Sequence, residues 1–310
     1  YLFLLQRQEE TAIMLANSPP KGLIVDEAYT LNEPLGLGKK GILAICLLLS
    51  LCAPPVALYL RRILRSRIET RQEVERITDV PVIGEISTSR SGKHLVVDSA
   101  ETSSTAELFR LMRSNLLFVL TPPNEKVVLV TSASPGDGKS FIAINLAASL
   151  ALLGKRVLLV GMDIRKPRLA EYLGISPRLG LTQFAASADM KVSDIIVHEP
   201  NMPGLDVIAA GPVPPNPGEL LTSHRIDHLF TELRKDYDYI IVDSAPVGRV
   251  SDTYALDRIS DAAIFVCRVG NTSLSDMHIA DEIREQHRLK KLSIAVNGTP
   301  ARRTYGYGEK

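Results

Sequence analysis

From residue 127 onward, short apolar runs alternate with segments in which apolar residues recur at helical spacing. The runs are rich in β-branched residues, which is typical of strands buried on both faces. They predict strands at 127–132, 156–161, 205–209, 238–243, 262–269 and 291–296, and helices at 139–153, 168–173, 219–235 and 275–287. Alternation of this kind predicts an α/β fold, with a mostly parallel sheet and helices on both faces.

The pattern before residue 127 is different, because residues 41–60 contain no charged side chain. A helix of that length spans roughly the 30 Å hydrocarbon core of a bilayer, so the run predicts one transmembrane helix. Lys39 and Lys40 precede the run, whereas four arginines follow it at positions 61, 62, 65 and 67. The positive-inside rule therefore places the C-terminal side of the helix in the cytoplasm.

Shorter segments flank the transmembrane run. They predict a helix end at 1–16, an extended connector at 17–38, a charged helix at 68–77, a strand or turn at Val80–Gly84 and a helix from about Ala106 to Leu120. In the last helix Glu107, Arg110 and Arg113 recur every three residues, so we expect them to share a face. On spacing alone this face is interpreted as a solvated stripe, with a subunit contact as the alternative.

Composition narrows the class of function only a little. The chain has 310 residues and a formal net charge of +1, which gives no indication of a nucleic-acid partner. The cysteines Cys46, Cys52 and Cys267 lack metal or redox spacing, so we interpret them as small core residues and expect no disulfide. The chain does not begin with Met and opens on what looks like the end of a helix, so we expect a fragment of a longer protein.

The strongest chemical signal is the turn between the strand at 127–132 and the helix at 139–153. It reads Ala133-x-x-x-x-Gly138-Lys139-Ser140, a phosphate-binding P-loop with Ala at the usual first Gly. Its glycines let backbone N–H groups close around phosphate oxygens, and the helix N-terminus adds partial positive charge. We predict that Lys139 reaches the β- and γ-phosphates and that Ser140 holds Mg²⁺. The predicted nucleotide site comprises Ser134, Pro135, Gly136, Asp137, Gly138, Lys139, Ser140 and Phe141.

Two further predicted strands end in an aspartate at the sheet edge where the P-loop lies. A hydrophobic strand that ends in Asp beside a P-loop is the Walker B arrangement, in which the carboxylate belongs to the Mg²⁺ site. Asp243 fits this arrangement best. Asp163 is interpreted as a ligand of the metal or of a substrate hydroxyl, with a strand-end cap as the alternative, and Arg165 or Lys166 could face phosphate.

Two more segments are distinctive. Residues 210–221 form a proline-rich loop ahead of a helix, and the chain ends in a basic tail that carries Tyr305 and Tyr307. With the P-loop and the membrane helix, these segments resemble the bacterial tyrosine kinases of the polysaccharide co-polymerase family, similar to exopolysaccharide transport proteins. The proline-rich Gly211–Leu221 segment is more specific to that family than the P-loop is.

The resemblance implies a domain organisation that covers nearly the whole chain. The implied parts are the end of a periplasmic chain-length-determinant domain at 1–38, a transmembrane helix at 39–62, a juxtamembrane linker at 63–100, a cytoplasmic P-loop kinase-like domain at 101–300 and a tyrosine-containing tail at 301–310. The protein would then lie in the bacterial inner membrane. Its implied partners are further copies of itself in a ring, the polysaccharide polymerase and export machinery, and a tyrosine phosphatase.

The resemblance also implies a reaction, which is phosphoryl transfer from Mg²⁺-ATP to a tail tyrosine of the neighbouring subunit. Tyr305 and Tyr307 match the family's phosphoacceptor cluster, which is normally longer. The implied catalytic residues are Lys139, Asp163, Arg165 and Asp243, and the implied metal ligands are Ser140, Asp163 and Asp243. The Glu107-x-x-Arg110-x-x-Arg113 pattern looks like the family's oligomerisation motif, which replaces the solvated interpretation of that face.

One position departs from the family pattern. The family's second Walker motif carries Asp-x-Asp, whereas this chain has Gly161-Met-Asp163. In the family, the first carboxylate of this motif assists with the metal or with the attacking hydroxyl. We therefore expect the loss of that carboxylate to leave ATP binding intact and to weaken kinase chemistry. Three hypotheses therefore stand: an autophosphorylating kinase, a co-polymerase that uses ATP binding only for assembly, and a partitioning-type ATPase. The last group places an extra Lys near the start of the loop, where this chain has Ser134.

Overall fold

The computed structural model describes residues 2–17, 38–63, 67–88, 92–98, 103–176, 178–200, 202–248 and 251–300. The chain divides into two compact units, Tyr1–Arg65 and Ser66–Lys310. Most of the predicted connector at 17–38 and the whole tail at 301–310, with Tyr305 and Tyr307, lie outside the described residues.

The first unit contributes two helices. Helix α1 spans Leu2–Ala16, and helix α2 spans Lys39–Ile63 with Pro54 and Pro55 inside it. The window Lys39–Val56 has a mean hydropathy of 1.6 and is fully exposed within the unit. By length and composition α2 is therefore a candidate membrane-spanning helix, somewhat longer than the predicted run at 41–60.

The second unit is built on one eight-stranded sheet. Its order is β1-β8-β7-β2-β6-β3-β5-β4, and every neighbouring pair is parallel except β4 with β5. The strands are β1 Val82–Ser87, β2 Val127–Ser132, β3 Val157–Gly161, β4 Ile196–His198, β5 Leu205–Ile208, β6 Tyr239–Asp243, β7 Ala262–Arg268 and β8 Leu292–Thr299. The central strands β2, β3 and β6 are buried along their whole length, because helices cover both faces.

The helices form two layers, one on each face of the sheet. They are α3 Arg71–Ile77, α4 Ser104–Val119, α5 Lys139–Ala151, α6 Leu169–Leu173, α7 Leu181–Ala186, α8 Pro217–Leu221, α9 His224–Asp236 and α10 Leu274–Glu285. Buried side chains of α4, α5 and α6 share one apolar core, and those of α3 and α7–α10 share the other. The predicted α/β class, with a mostly parallel sheet between two helical layers, is confirmed.

The segment that follows helix α2 in sequence differs from its predicted form. The charged helix begins at Arg71 rather than at residue 68, since the Thr70 side chain caps it by accepting from Glu73 N–H at 3.2 Å. Ile68 is instead extended: its N–H donates to the Thr272 carbonyl at 3.1 Å, and its carbonyl accepts from Gly270 N–H at 2.8 Å. The ambiguous segment at Val80–Gly84 runs into β1, an edge strand that pairs with β8.

Other departures come from local capping. The single helix predicted at 219–235 is two helices in the structure. Helix α8 begins at Pro217, and the helical conformation is interrupted at Thr222 and Ser223 before α9 begins. Helix α7 and the short strand β4 were not predicted from the sequence.

The face that was predicted to carry Glu107, Arg110 and Arg113 is divided. Arg110 pairs with Glu107 at the surface, whereas the Arg113 guanidinium turns inward and donates to the Ser149 carbonyl at 2.6 Å. The solvated stripe that spacing alone favoured therefore does not hold for Arg113, because helix α5 lies close enough to accept its guanidinium, and the oligomerisation role of the three residues stays a prediction. The exposed apolar residues of α4 are Leu111 and Phe118, and Phe118 is 90% exposed.

Candidate functional site

The P-loop, residues 133–140, leaves the buried central strand β2 and leads directly into α5. Gly136 and Gly138 have φ values of +91° and +94°, in the left-handed region that favours glycine. A Cβ at Gly138 would also overlap the side-chain amide of Asn297. The loop glycines are therefore fixed by backbone conformation and, at Gly138, by space as well.

Asp137 holds the loop in shape from within. Its fully buried carboxylate accepts hydrogen bonds from Thr272 Oγ1 at 2.7 Å, Asn271 Nδ2 at 2.8 Å and Ser134 N–H at 3.1 Å. Burial raises the pKa of this carboxyl, and the three hydrogen bonds act in the opposite direction without cancelling the rise. The Asn297 amide also donates to the Asp137 carbonyl at 2.9 Å. The Asp137 side chain is therefore directed into the loop, which leaves backbone groups to face a ligand.

Lys139 lies between two aspartates at the C-terminal edge of the sheet. Its ammonium is 2.9 Å from Asp163 Oδ2, and both side chains are largely buried. Burial alone would lower the pKa of Lys139, but the negative charges of Asp243 and Asp163 outweigh it, so the pKa is raised. The predicted convergence of Lys139, Asp163 and Asp243 is thus present in the structure.

Asp243 ends strand β6 and is almost fully buried. Burial raises its pKa to about 6, although the positive charge of Lys139 and a hydrogen bond from Ser140 both oppose the rise. Among the residues that the structure describes, none forms a hydrogen bond with Asp243 Oδ1. A buried carboxylate oxygen without a partner is costly, which marks it as a place for a ligand.

Mg²⁺ fits this set of groups. Within the described residues no cluster of three or more His, Cys, Asp or Glu side chains could hold a metal. Mg²⁺ does not require such a cluster, since it is usually bound by one or two protein oxygens together with water and substrate phosphates. The Ser140 hydroxyl and Asp243 Oδ1 are suitable oxygen donors for that mode of binding.

The segment after β3 carries the other predicted site residues. Arg165 is paired with Asp252 at 2.5 Å and is partly exposed, so its guanidinium is held by a carboxylate outside the Lys139, Asp163 and Asp243 cluster. The Lys166 N–H donates to Asp163 Oδ1 at 3.1 Å, which orients that carboxylate toward Lys139. The strand-end cap considered for Asp163 is therefore present alongside its ion pair.

Gly161, at the position of the missing carboxylate, is tightly surrounded. A Cβ there would lie 3.2 Å from Leu169 Cδ2 and 3.3 Å from the Ala210 nitrogen. Contacts of that length require a neighbour to shift by a few tenths of an ångström. Leu169 thus packs into space that a side chain at residue 161 would otherwise use.

A cavity of about 380 Å³ opens in front of the P-loop. We call residues 92–98, which follow β1 in sequence, the strap. The strap contributes Gly92, Lys93 and His94 to the wall of the cavity. The other lining residues are Ser87, Thr88, Gly136, Gly138, Lys139, Ser140, Phe141, Tyr172, Arg268, Asn297 and Gly298. Arg268, Asn297, His94 and Tyr172 were not predicted as site residues, since each is brought to the cavity from a distant segment.

The strap is fixed by Asn145, a fully buried residue of α5. Its Oδ1 accepts from Val96 N–H at 2.7 Å and Val97 N–H at 3.1 Å, and its Nδ2 donates to the His94 carbonyl at 2.7 Å. A buried Asn in an otherwise apolar helix was the one local signal of this arrangement, because such a group needs partners.

The fold and the site define the class of protein, which is a P-loop nucleotide-binding protein. A family model described as an AAA domain matches residues 125–294. YwqD, a tyrosine-protein kinase of Bacillus subtilis, is 34% identical over 71% of this chain and 92% of its own length. The solved kinase domain of the Escherichia coli tyrosine kinase Etk matches this chain with a TM-score of 0.68 and 26% sequence identity. The match covers 78% of this chain and 99% of the Etk domain.

The chain belongs to the bacterial tyrosine kinase (BY-kinase) family. A longer relative, EpsB of Ralstonia nicotianae, is 31% identical over the whole of this chain and 43% of its own length. The chain thus spans less than half the length of the longer curated relatives that it matches.

Proposed function

We propose that this chain is the membrane-anchored, Mg²⁺-ATP-dependent tyrosine kinase part of an exopolysaccharide export protein. The observation that carries the proposal is the buried cluster in which Lys139 contacts Asp163 at 2.9 Å, beside Asp243 Oδ1, which has no hydrogen-bond partner in the described part of the chain. A lysine at the start of the P-loop helix and a strand-end carboxylate are the parts that a phosphoryl-transfer site requires.

The chain's own groups would act in sequence. Mg²⁺, when bound with ATP, neutralises charge on the β- and γ-phosphates, and Ser140 and Asp243 are the residues that would hold it. Backbone N–H groups of the P-loop bind and orient the phosphates. The Lys139 ammonium, now paired with Asp163, turns to the phosphates, which leaves Asp163 Oδ2 free to accept the proton of a tyrosine hydroxyl.

The acceptors in this proposal are Tyr305 and Tyr307 of a neighbouring copy. Each phosphate adds about −1.5 to −2 charges, so phosphorylation would weaken docking of the tail and loosen a ring of subunits. Contacts between copies would use the outward part of α4, with the Glu107–Arg110 pair and the exposed Phe118. Arg113 would support that surface from within through Ser149.

Helix α2 would anchor the protein in the inner membrane. Because four arginines lie after the apolar run 41–60 and only two lysines lie before it, the proposed orientation puts the kinase unit in the cytoplasm and residues 1–38 in the periplasm. In that orientation the chain would join an outer chain-length-determinant region to a nucleotide-dependent switch. The polymerase and export machinery and a tyrosine phosphatase are its proposed partners.

The deciding experiment is detection of phosphotyrosine on the purified chain after incubation with Mg²⁺-ATP. Signal is expected from the unchanged chain, and none from Lys139→Met or from the double variant Tyr305→Phe/Tyr307→Phe. Measurable ATP binding with no phosphotyrosine in the unchanged chain would refute the kinase proposal.

A second candidate function is favoured by Gly161. In this alternative the site binds ATP for subunit assembly and transfers phosphate poorly, because the first carboxylate of the second Walker motif is missing. Gly161→Asp alone would crowd Leu169 and the Ala210 backbone. The informative variant is therefore Gly161→Asp with Leu169→Ala, and Leu169→Ala alone is its control. A rise in phosphotyrosine only in the double variant would support this alternative.

A further inference from the structure

The strap and helix α6 meet at one point beside the nucleotide cavity. The rings of His94 and Tyr172 stack there, with centroids 3.9 Å apart and planes inclined by 19°. Both residues line the cavity in front of the P-loop. His94 belongs to the segment that precedes the P-loop in sequence, whereas Tyr172 follows the strand end that carries Asp163.

The backbone of the strap and the side chain of His94 are held by different contacts. Val96 and Val97 are buried, and their amides are fixed by the Asn145 side chain at 2.7 and 3.1 Å. Asn145 also donates to the His94 carbonyl at 2.7 Å, whereas the exposed His94 side chain stacks on Tyr172. Breaking the ring contact would therefore free the His94 side chain, while Asn145 keeps the backbone of the strap in place.

Tyr172 is itself positioned by charged groups of the site. Its hydroxyl forms a hydrogen bond with Arg168, which raises the pKa of that guanidinium. It also lies near enough to Lys139 to contribute to the raised pKa of the ammonium. The ring that His94 stacks on is thus part of the wall that surrounds the phosphate-binding lysine.

We propose that the stacked side chains of His94 and Tyr172 form a latch that closes one side of the cavity over bound nucleotide and slows its release. The inference rests on the nucleotide function proposed above and adds two binding-site residues to it. With the rings stacked, the strap and α6 are joined at the wall of the cavity. With the rings apart, the cavity opens on that side and the nucleotide leaves without any change in the P-loop.

Aromatic pairs contribute enough free energy to change a rate about 2- to 12-fold. In stopped-flow release of the fluorescent analogue mant-ADP from the detergent-solubilised chain, we expect His94→Ala and Tyr172→Leu to accelerate dissociation by that factor. The double variant should release no faster than either single variant, because each change alone already removes the stack.

Matched variants separate the ring contact from other causes. Tyr172→Phe removes the hydroxyl and keeps the ring, and His94→Phe keeps a stacking surface, so both should release mant-ADP at close to the original rate. Circular dichroism and thermal unfolding should show that all variants retain the fold. Equal release rates in Tyr172→Phe and Tyr172→Leu would overturn the latch, as would unchanged rates in His94→Ala and Tyr172→Leu.

The same measurement distinguishes failure of the latch from failure of the site. If the unchanged chain binds mant-ADP and the variants release it no faster, the latch is wrong and the nucleotide site stands. If the unchanged chain binds no mant-ADP, both the latch and the proposed nucleotide function are wrong.

Discussion

Replacing Asn145 with alanine tests how the wall of the nucleotide cavity is built. The change removes the acceptor for the Val96 and Val97 amides and the donor to the His94 carbonyl. The two valines are 5% and 0% exposed, so water cannot readily replace the lost acceptor while the strap stays in place.

The free-energy cost of Asn145→Ala can be worked out for two cases, in which the strap either stays in place or detaches. If the strap stays, two buried amides without acceptors cost about 1–3 kcal/mol each, or about 2–6 kcal/mol together. If the strap detaches, the burial of two valine side chains is lost, at about 1.5–3 kcal/mol each. The two costs are similar in size, so we expect Asn145→Ala to lower the free energy of opening the strap by at least about 2 kcal/mol.

Hydrogen exchange measures that opening directly. A loss of about 2 kcal/mol lowers the protection of the Val96 and Val97 amides by about 25-fold or more. Amides of the central strand β2 should keep most of their protection, because they are paired within the sheet with β6 and β7. Asn145→Asp is the comparison variant, since it retains the acceptor for both amides and replaces the donor with a second carboxyl oxygen. Unchanged protection of Val96 and Val97 in Asn145→Ala would refute this account of the strap.

Three further outcomes are expected. Gly138→Ala should abolish mant-ATP binding, because φ is +94° there and a Cβ would overlap the Asn297 amide. Ala133→Gly is the control and should still bind mant-ATP. Equal binding by the two variants would contradict the geometry. The pKa of Asp243 rises from 3.8 to about 6 on folding, so the native state retains a proton that the unfolded state loses, and stability should fall as pH rises through that window. Urea titrations should show this slope and Asp243→Asn should reduce it, and an unaltered slope would exclude the carboxyl as its source. Phe118→Ser should lower the particle mass in light scattering without shifting the unfolding midpoint, and an unchanged mass would remove Phe118 from the subunit contact.

The sequence predicted the parts of the fold that rest on local signals. Strand β2, the P-loop and α5 follow one another, so a β-branched run, a glycine turn and an apolar helix were sufficient to place them. The strand ends at Asp163 and Asp243 were predicted for the same reason. Their convergence on Lys139 followed from the rule that parallel strands present their carboxyl ends at one edge of the sheet.

What the sequence could not supply were partners that lie far along the chain. Asp137 was placed in the nucleotide site without a role for its side chain, and two of that side chain's hydrogen bonds come from Asn271 and Thr272, more than a hundred residues later. Arg113 was grouped with Arg110 by spacing, but the neighbouring helix α5 captures it at Ser149. Helical periodicity specifies a face and does not specify which element covers it.

The extended residues Arg67 and Ile68, which follow helix α2 in sequence, have a mechanical consequence. Arg67 donates to the Gly270 carbonyl at 2.8 Å, and Ile68 exchanges backbone hydrogen bonds with Gly270 and Thr272. The Thr272 hydroxyl in turn donates to Asp137, inside the P-loop. A force applied to the chain at residue 67 is therefore first resisted by hydrogen bonds to residues 270–272. The same short loop donates hydrogen bonds that set the shape of the phosphate-binding turn. Tension on the juxtamembrane segment and the geometry of the P-loop are thus joined through the neighbouring loop residues Asn271 and Thr272, which both donate to Asp137.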